Sequence, residues 1–160
     1  DEDVEVVEET MQKTFQDIIG ELGLNKKDIS IPQVITIASL IQREAGGKSD
    51  MRLISGIIHN RLEIGMPLQI DATLQYIKGD EDNWWPTPKS EDKNLESPYN
   101  TYQNIGLPPT PIATPGKEAI KAALNPMKTD CLFYLHDKRR NIHCATTYEQ
   151  HKRNVRYYLK

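Results

Sequence analysis

Ile31–Asp50 reads IPQVITIASLIQREAGGKSD, and the fold turns on how this stretch is read. Pro32 suits the first turn of a helix, where a missing N–H loses no partner. Beyond it Val34, Ile37, Ala38, Ile41 and Ala45 recur at helical spacing and make one apolar stripe. Gly46 and Gly47 stop the helix, and Ser49 or Asp50 is placed to cap the next one. One carboxylate, Glu44, borders the stripe in the last turn. Partial desolvation there raises a carboxyl pKa, and the negative end of the helix dipole acts in the same direction. A carboxyl raised toward neutrality is what a general acid needs to hold its proton. On pattern alone the favoured reading is a solvated helix-end glutamate paired with Arg43 or Lys48, with the general acid as the alternative.

Working outward, Val7, Met11, Phe15, Ile18 and Leu22 predict an N-terminal helix ended by Gly23, then a polar link with Asn25 and Ser30. Met51, Ile54, Ile58 and Leu62 predict a third helix that ends at Gly65. The piece MPLQIDATLQY begins extended and turns helical after Asp71, a residue of N-cap type. Residues 79–98 form a polar, proline-bearing excursion in which Trp84 and Trp85 either pin the loop or offer sugar platforms. Thr114 and Pro115 open a short helix with Ala119, Ile120, Ala123 and Leu124. CLFYLHD and NIHCAT read as a hairpin turning around Lys138 to Arg140. Thr146-x-x-Glu149 reads as a capping box for a last helix with a Tyr148, Val155, Tyr158 and Leu159 face. The expected fold class is therefore α+β: a helix-rich single domain with a small antiparallel sheet and a cleft between helices and loops. Residues 1–30, helix and link, are expected to join 31–160 in that domain.

The chain has 160 residues, enough for one domain with a real core. A net charge of −3 speaks against a general nucleic-acid binder, and the acidic run Asp1–Glu9 reads as a solvated helix start. No run of about 18 apolar residues occurs, and no basic-apolar leader opens the chain. It starts on Asp1 rather than Met, so a piece of a longer protein is expected. GxGxxG, P-loop, HExxH, CxxC and GxSxG signatures are all missing. The four histidines (His59, His136, His143 and His151) lack metal-ligand spacing, so neither metal nor cofactor is expected. Cys131 and Cys144 are too few for a disulfide framework. They face each other if the hairpin is centred between Asp137 and Lys138, and a slip of one residue parts them.

Beside Glu44, Asp71 is the second acid in an apolar context, and the bland reading makes it a helix cap. Asn60 and Arg61 end their helix, either satisfying carbonyls or pointing into a cleft. SPYNTYQN (Tyr99, Asn100, Thr101 and Tyr102) offers amide, hydroxyl and ring faces, which suits a sugar groove and an ordered turn alike.

Taken in order, IASLIQREAG, IIHNRLEIGMPLQIDATLQY, SPYNTYQNIGLPPTPIATPG, AIKAALNP and HCATTYEQHKRNV resemble the YceG-like family of endolytic murein transglycosylases. The resemblance runs from about Ile31 to the C-terminus. It implies a bacterial enzyme that cuts inside peptidoglycan glycan strands at the outer face of the cytoplasmic membrane. It further implies a role in ending nascent strands, with cell-wall synthases as partners. Family members carry an N-terminal membrane helix and a LysM-like subdomain ahead of the catalytic part, so the chain is expected to be the catalytic domain alone. The second glutamate of the family's Glu-Lys-Glu-Thr-like stretch falls on Glu44, and Gln42 stands where the first often lies. Asp71-Ala72-Thr73 departs from the commoner Asp-Pro-Thr. Cys144-Ala145 replaces a hydroxyl and an aromatic residue.

The expected chemistry uses Glu44 as acid and then base, leaving 1,6-anhydromuramic acid ends. Asn60, Arg61, Gln69, Asp71, Tyr99, Asn100, Thr101 and Tyr102 are the candidates for positioning sugars, with Gln69 and Asn100 favoured for direct contact. Two other outcomes stay open: a lysozyme-type hydrolase with Asp71 as second carboxylate, and a non-catalytic peptidoglycan-binding module using Trp84, Trp85 and Tyr99–Tyr102.

Overall fold

A computed structural model of the chain describes residues 2–23 and 30–160. They fall into two compact units, Asp1–Ile31 and Pro32–Lys160. The first holds helix α1 (Glu2–Glu21), closed by N–H groups of Leu22 and Gly23 on the carbonyls of Ile18 and Gly20. Asp1, the link residue Asn25 and the side chains of Val7 and Met11 lie outside the described residues.

The second unit is built around α2 (Ile31–Glu44). Six consecutive residues, Thr36 to Ile41, are buried, so the middle of α2 is enclosed on every side rather than along one stripe. Enclosure demands that its polar atoms be paired. The Thr36 hydroxyl donates to the Pro32 carbonyl, and the Ser39 hydroxyl donates to the Thr36 carbonyl while accepting the N–H of Ile112. Gln42 accepts the N–H of Gly116, tying the end of α2 to the start of α5 (Lys117–Leu124). Gly116 rather than Thr114 occupies the cap of α5.

Helix α3 (Met51–Glu63) packs on α5 and buries Ile54, Ile57 and Ile58. At Gly56 the chain around Met127 comes so close that a Cβ would sit 2.3 Å from the Met127 carbonyl oxygen. Gly65 ends α3 in the left-handed region (φ 66°), with its N–H on the Leu62 carbonyl and that of Met66 on the Arg61 carbonyl. This paired closure is a Schellman motif. An extended link then leads to α4 (Asp71–Lys78). Ile70, not Asp71, takes the cap position, so Asp71 is the first helical residue and its carboxylate is left for other work.

The excursion after α4 contains a 3-10 turn, η1 (Ser90–Asn94). Buried Asp92 anchors it through the Lys78 ammonium at 2.6 Å and the Lys89 N–H. The chain then forms an antiparallel hairpin, β1 (Phe133–His136) and β2 (Ile142–Ala145), paired from Phe133↔Ala145 to His136↔Ile142. That register centres the turn on Arg139. Cys131 nonetheless forms a disulfide with Cys144, because it lies ahead of the strand and is not bound by the ladder. Helix α6 (Tyr148–Tyr158) packs on both strands. Its capping box is Thr147 with Gln150, one residue beyond the Thr146–Glu149 pair, since Glu149 instead binds Lys152 at 2.6 Å. The architecture is helix-rich α+β with one small antiparallel sheet. Among the described residues no helix is long and apolar enough to cross a membrane.

Candidate active site

Glu44 closes α2 and faces an open cavity of about 850 Å³. The floor and walls come from the end of α3 (Arg61), the link to α4 (Met66, Gln69), Asp71, Lys93, Tyr102, all of β1, and α6. Glu44 keeps a solvent-facing edge on this cavity while protein surrounds the rest of it. The Tyr134 hydroxyl donates to Glu44 Oε2 at 2.6 Å. Burial holds the Glu44 carboxyl above its ordinary value of 4.5, and the charge of Asp71 pushes the same way. The Tyr134 hydroxyl, the Ala72 N–H and His136 pull back, without reversing the balance. Arg43 is not a counter-charge here: its guanidinium lies 3.6 Å from the ring centre of Trp85. Arg43 is thus engaged with Trp85 rather than in the pair with Glu44 that the bland reading offered beside Lys48.

Tyr134 reaches Glu44 because the end of α3 fixes the chain entering β1. The Asn60 amide donates to the carbonyls of Thr129 and Cys131 at 2.7 and 3.1 Å. Buried Arg61 spends its donors on the carbonyls of Leu132, Pro67 and Leu68. One arginine thus binds both chain segments that flank the cavity. On the opposite side, Gln69 has φ 53°, a left-handed value that costs a non-glycine residue about 1–2 kcal/mol. Thr101 holds it there: its carbonyl accepts the Gln69 N–H and its hydroxyl oxygen accepts that of Ile70. The result buries Leu68 and Ile70 while the Gln69 side chain stands exposed in the cavity. The Tyr102 hydroxyl donates to Asp71 Oδ1 at 2.5 Å. Burial first, and then Asp71, raises the pKa of the Tyr102 phenol. Burial and Glu44 do the same to Tyr134, so both remain hydroxyl donors at neutral pH.

The profile of the YceG-like family matches residues 1–157. The chain belongs to the YceG-like family. A Bacillus subtilis (strain 168) protein named endolytic murein transglycosylase is 37% identical over 136 residues, covering 85% of this chain and 37% of its own length. A Streptococcus pneumoniae (strain D39) protein of the same name is 34% identical over 135 residues, covering 82% of this chain and 24% of its own. A crystal structure of a yceG-like protein from Listeria monocytogenes superimposes with a TM-score of 0.72 at 33% identity, over 88% of this chain and 42% of that one. The chain thus spans well under half the length of these relatives.

Of the sequence candidates, this YceG-like chain brings Glu44, Arg61, Gln69, Asp71 and Tyr102 to one cavity. Four others lie elsewhere, and direct sugar contact by Asn100 is corrected. Asn100 is fully buried; its amide donates to the carbonyls of Lys93 and Leu95, and its side-chain oxygen accepts the Tyr102 N–H. Thr101 is buried as described, and the Asn60 amide is spent on backbone. Tyr99 shares a hydrogen bond with Thr110 at 2.7 Å and tilts against Tyr76. These residues shape the frame that carries Tyr102, Lys93 and Gln69. Trp85 lies under Arg43 and Trp84 is 72% exposed, and neither lines the cavity.

Sequence reasoning missed Tyr134, His136, Lys93 and His151. Tyr134 and His136 had a signal, since alternate residues of a strand share a face. The His136 imidazole Nε2 lies 3.1 Å from Asp50 Oδ2, which is why Asp50 makes no side-chain cap bond to α3. His151 lines the cavity with its Nδ1 buried and unpartnered among the described residues. His143 has a structural place: it binds Asp137 and stacks on Tyr158.

Proposed function

We propose that this chain is a lytic transglycosylase domain that cuts the β-1,4 bond between N-acetylmuramic acid and N-acetylglucosamine inside peptidoglycan strands. The observation that carries the reading is Glu44, a carboxyl held above its ordinary pKa on the wall of a cavity, with one oxygen fixed by Tyr134. The names of the Bacillus and Streptococcus relatives support the same activity.

Protonated Glu44 donates to the glycosidic oxygen, and the bond from that oxygen to the muramyl C1 breaks. The Glu44 carboxylate then takes the proton of the muramyl C6 hydroxyl, whose oxygen closes onto C1. The products are a free N-acetylglucosamine 4-hydroxyl and a 1,6-anhydromuramic acid end; no water is consumed and Glu44 regains its proton. Tyr134 fixes Oε2 and so orients the carboxyl in the cavity. Asp71, which accepts the Tyr102 hydroxyl, helps keep the proton on Glu44 and offsets positive charge growing at C1. Gln69 supplies an amide to a sugar acetamido group.

Action on peptidoglycan places the domain in the cell envelope, outside the cytoplasm, where the Cys131–Cys144 disulfide persists. Release of nascent strands beside wall synthases, at the outer face of the cytoplasmic membrane, is the finer form of the reading. Asp71 in the same cavity gives a hydrolase its only support. Mass spectrometry of digested peptidoglycan separates the two: anhydro ends support the transglycosylase, and ends reducible by borohydride contradict it.

A further inference from the structure

Helix α6 packs on the hairpin, yet that packing leaves much of its apolar face open. None of its residues is fully buried, and Tyr148 is 59% exposed on the wall of the Glu44 cavity, with Val155 and Leu159 beside it. Tyr148 meets Phe133 of β1 with ring centres 5.8 Å apart. His151 stacks on Phe133 at 5.5 Å, the planes only 25° apart. Burial, with Arg61 acting the same way, holds His151 below its ordinary pKa of 6.5, so at neutral pH this is a shelf of three uncharged rings. Exposed apolar surface inside a cavity marks a place where ligand covers it.

The shelf is bound to the chemistry through one strand, because Phe133 directly precedes Tyr134, whose hydroxyl holds Glu44. An acid that cuts within a glycan needs a sugar on each side of the broken bond. Glu44, Asp71 and Gln69 offer polar groups, whereas α6 and Phe133 offer a hydrophobic wall of the same cavity. A β-linked pyranose has hydroxyls at its rim and C–H groups across its face, so it needs both kinds of wall. Tyrosine supplies such contact area with little loss of side-chain freedom.

We propose that Tyr148, backed by Phe133 and His151, forms a sugar subsite whose exposed ring stacks on the C–H face of an N-acetylhexosamine next to the cut bond. The inference rests on the reading of this cavity as a glycan site. It adds a stacking wall to that reading and makes Tyr148 a determinant of substrate affinity.

The probe is a peptide-free tetrasaccharide of alternating N-acetylglucosamine and N-acetylmuramic acid, titrated calorimetrically into the Glu44→Gln protein so that nothing is turned over. Adding Tyr148→Ala raises Kd about tenfold, while Tyr148→Phe, which keeps the ring, stays within about twofold. An unchanged Kd for Tyr148→Ala overturns the subsite. A second measurement reads the contact itself: saturation of aromatic protons in the Glu44→Gln protein transfers to sugar ring C–H protons, and the transfer falls with Tyr148→Ala. Equal transfer in both proteins also overturns it. Failure of the activity reading looks different. Peptidoglycan without anhydro ends, but with the tetrasaccharide still bound through Tyr148, removes the reaction and leaves the subsite.

Discussion

Glu44 sits between opposing influences: burial and Asp71 favour its proton, while Tyr134, the Ala72 N–H and His136 favour its charge. The first pair prevails, so the acid is protonated to a higher pH than a free glutamate. Removing the Tyr134 hydroxyl takes away the largest of the opposing influences. In Tyr134→Phe the Glu44 pKa therefore rises further, and the alkaline limb of the pH–rate profile moves to higher pH. The maximal rate falls by about tenfold or less, the worth of one hydrogen bond that orients the carboxyl. Rates for both proteins across pH 4 to 9, about the range in which a perturbed carboxyl titrates, check this. A limb that moves down, or stays, contradicts it. Stability gives an independent reading. Between the ordinary value of 4.5 and the raised folded-state value, the unfolded chain releases a proton that the folded chain keeps, so wild-type stability falls as pH rises. Glu44→Gln lacks that loss. Its melting temperature exceeds that of wild type at pH 8 by a margin that shrinks toward pH 4 (both round values set about the carboxyl range). The position of Glu44 at the edge of an apolar run was legible in the sequence. Its partner Tyr134 was not, because 90 residues separate the two and only tertiary folding joins them.

At the scale of elements, helices α2 and α3 followed from apolar periodicity and glycine stops. Helices α4 and α5 were read from capping residues, and each begins one or more residues away from that reading. The misreadings cluster where a long-range bond outbid a local rule. Asp50 and Asp71 are good capping residues by type, yet one binds His136 and the other receives the Tyr102 hydroxyl. The 3-10 turn Ser90–Asn94 has no periodicity to announce it, and its anchor is the tertiary Lys78–Asp92 pair. The SPYNTYQN segment was recognisable as dense in polar groups, but composition does not tell which of them face inward. Asn100 and Thr101 turn in and Tyr102 turns to the cavity. The element most exposed to test is the entry to β1, held by the Asn60 amide. Asn60→Ala leaves two buried-side carbonyls without that donor and costs about 1–3 kcal/mol in urea unfolding. It also lowers activity, because Tyr134 loses its footing. A variant as stable and as active as wild type contradicts this route from α3 to Glu44.

On the scale of the whole molecule, the disulfide and one wall of the Glu44 cavity occupy one hairpin. Cys131 and Cys144 are 13 residues apart, and closing a loop of that size stabilises the chain by about 3 kcal/mol. Reduction therefore lowers the thermal midpoint, and activity falls with it if β1 loosens before the helical core; parallel melts and assays with and without reductant check both. The fold class was legible because helical and strand periods are local properties of the chain. The cavity was not, since it is assembled from α2, α3, α4, α6 and β1, whose residues meet only on folding. In the proposed reaction Glu44 alone supplies the acid and the base for anhydro-forming cleavage. The most direct test digests purified peptidoglycan with wild type and with Glu44→Gln, and counts chain ends by mass spectrometry. Wild type is expected to give 1,6-anhydromuramic acid ends, and Glu44→Gln to lose about 10²–10⁴-fold with the fold retained. Anhydro ends formed at the wild-type rate by a folded Glu44→Gln protein would contradict it.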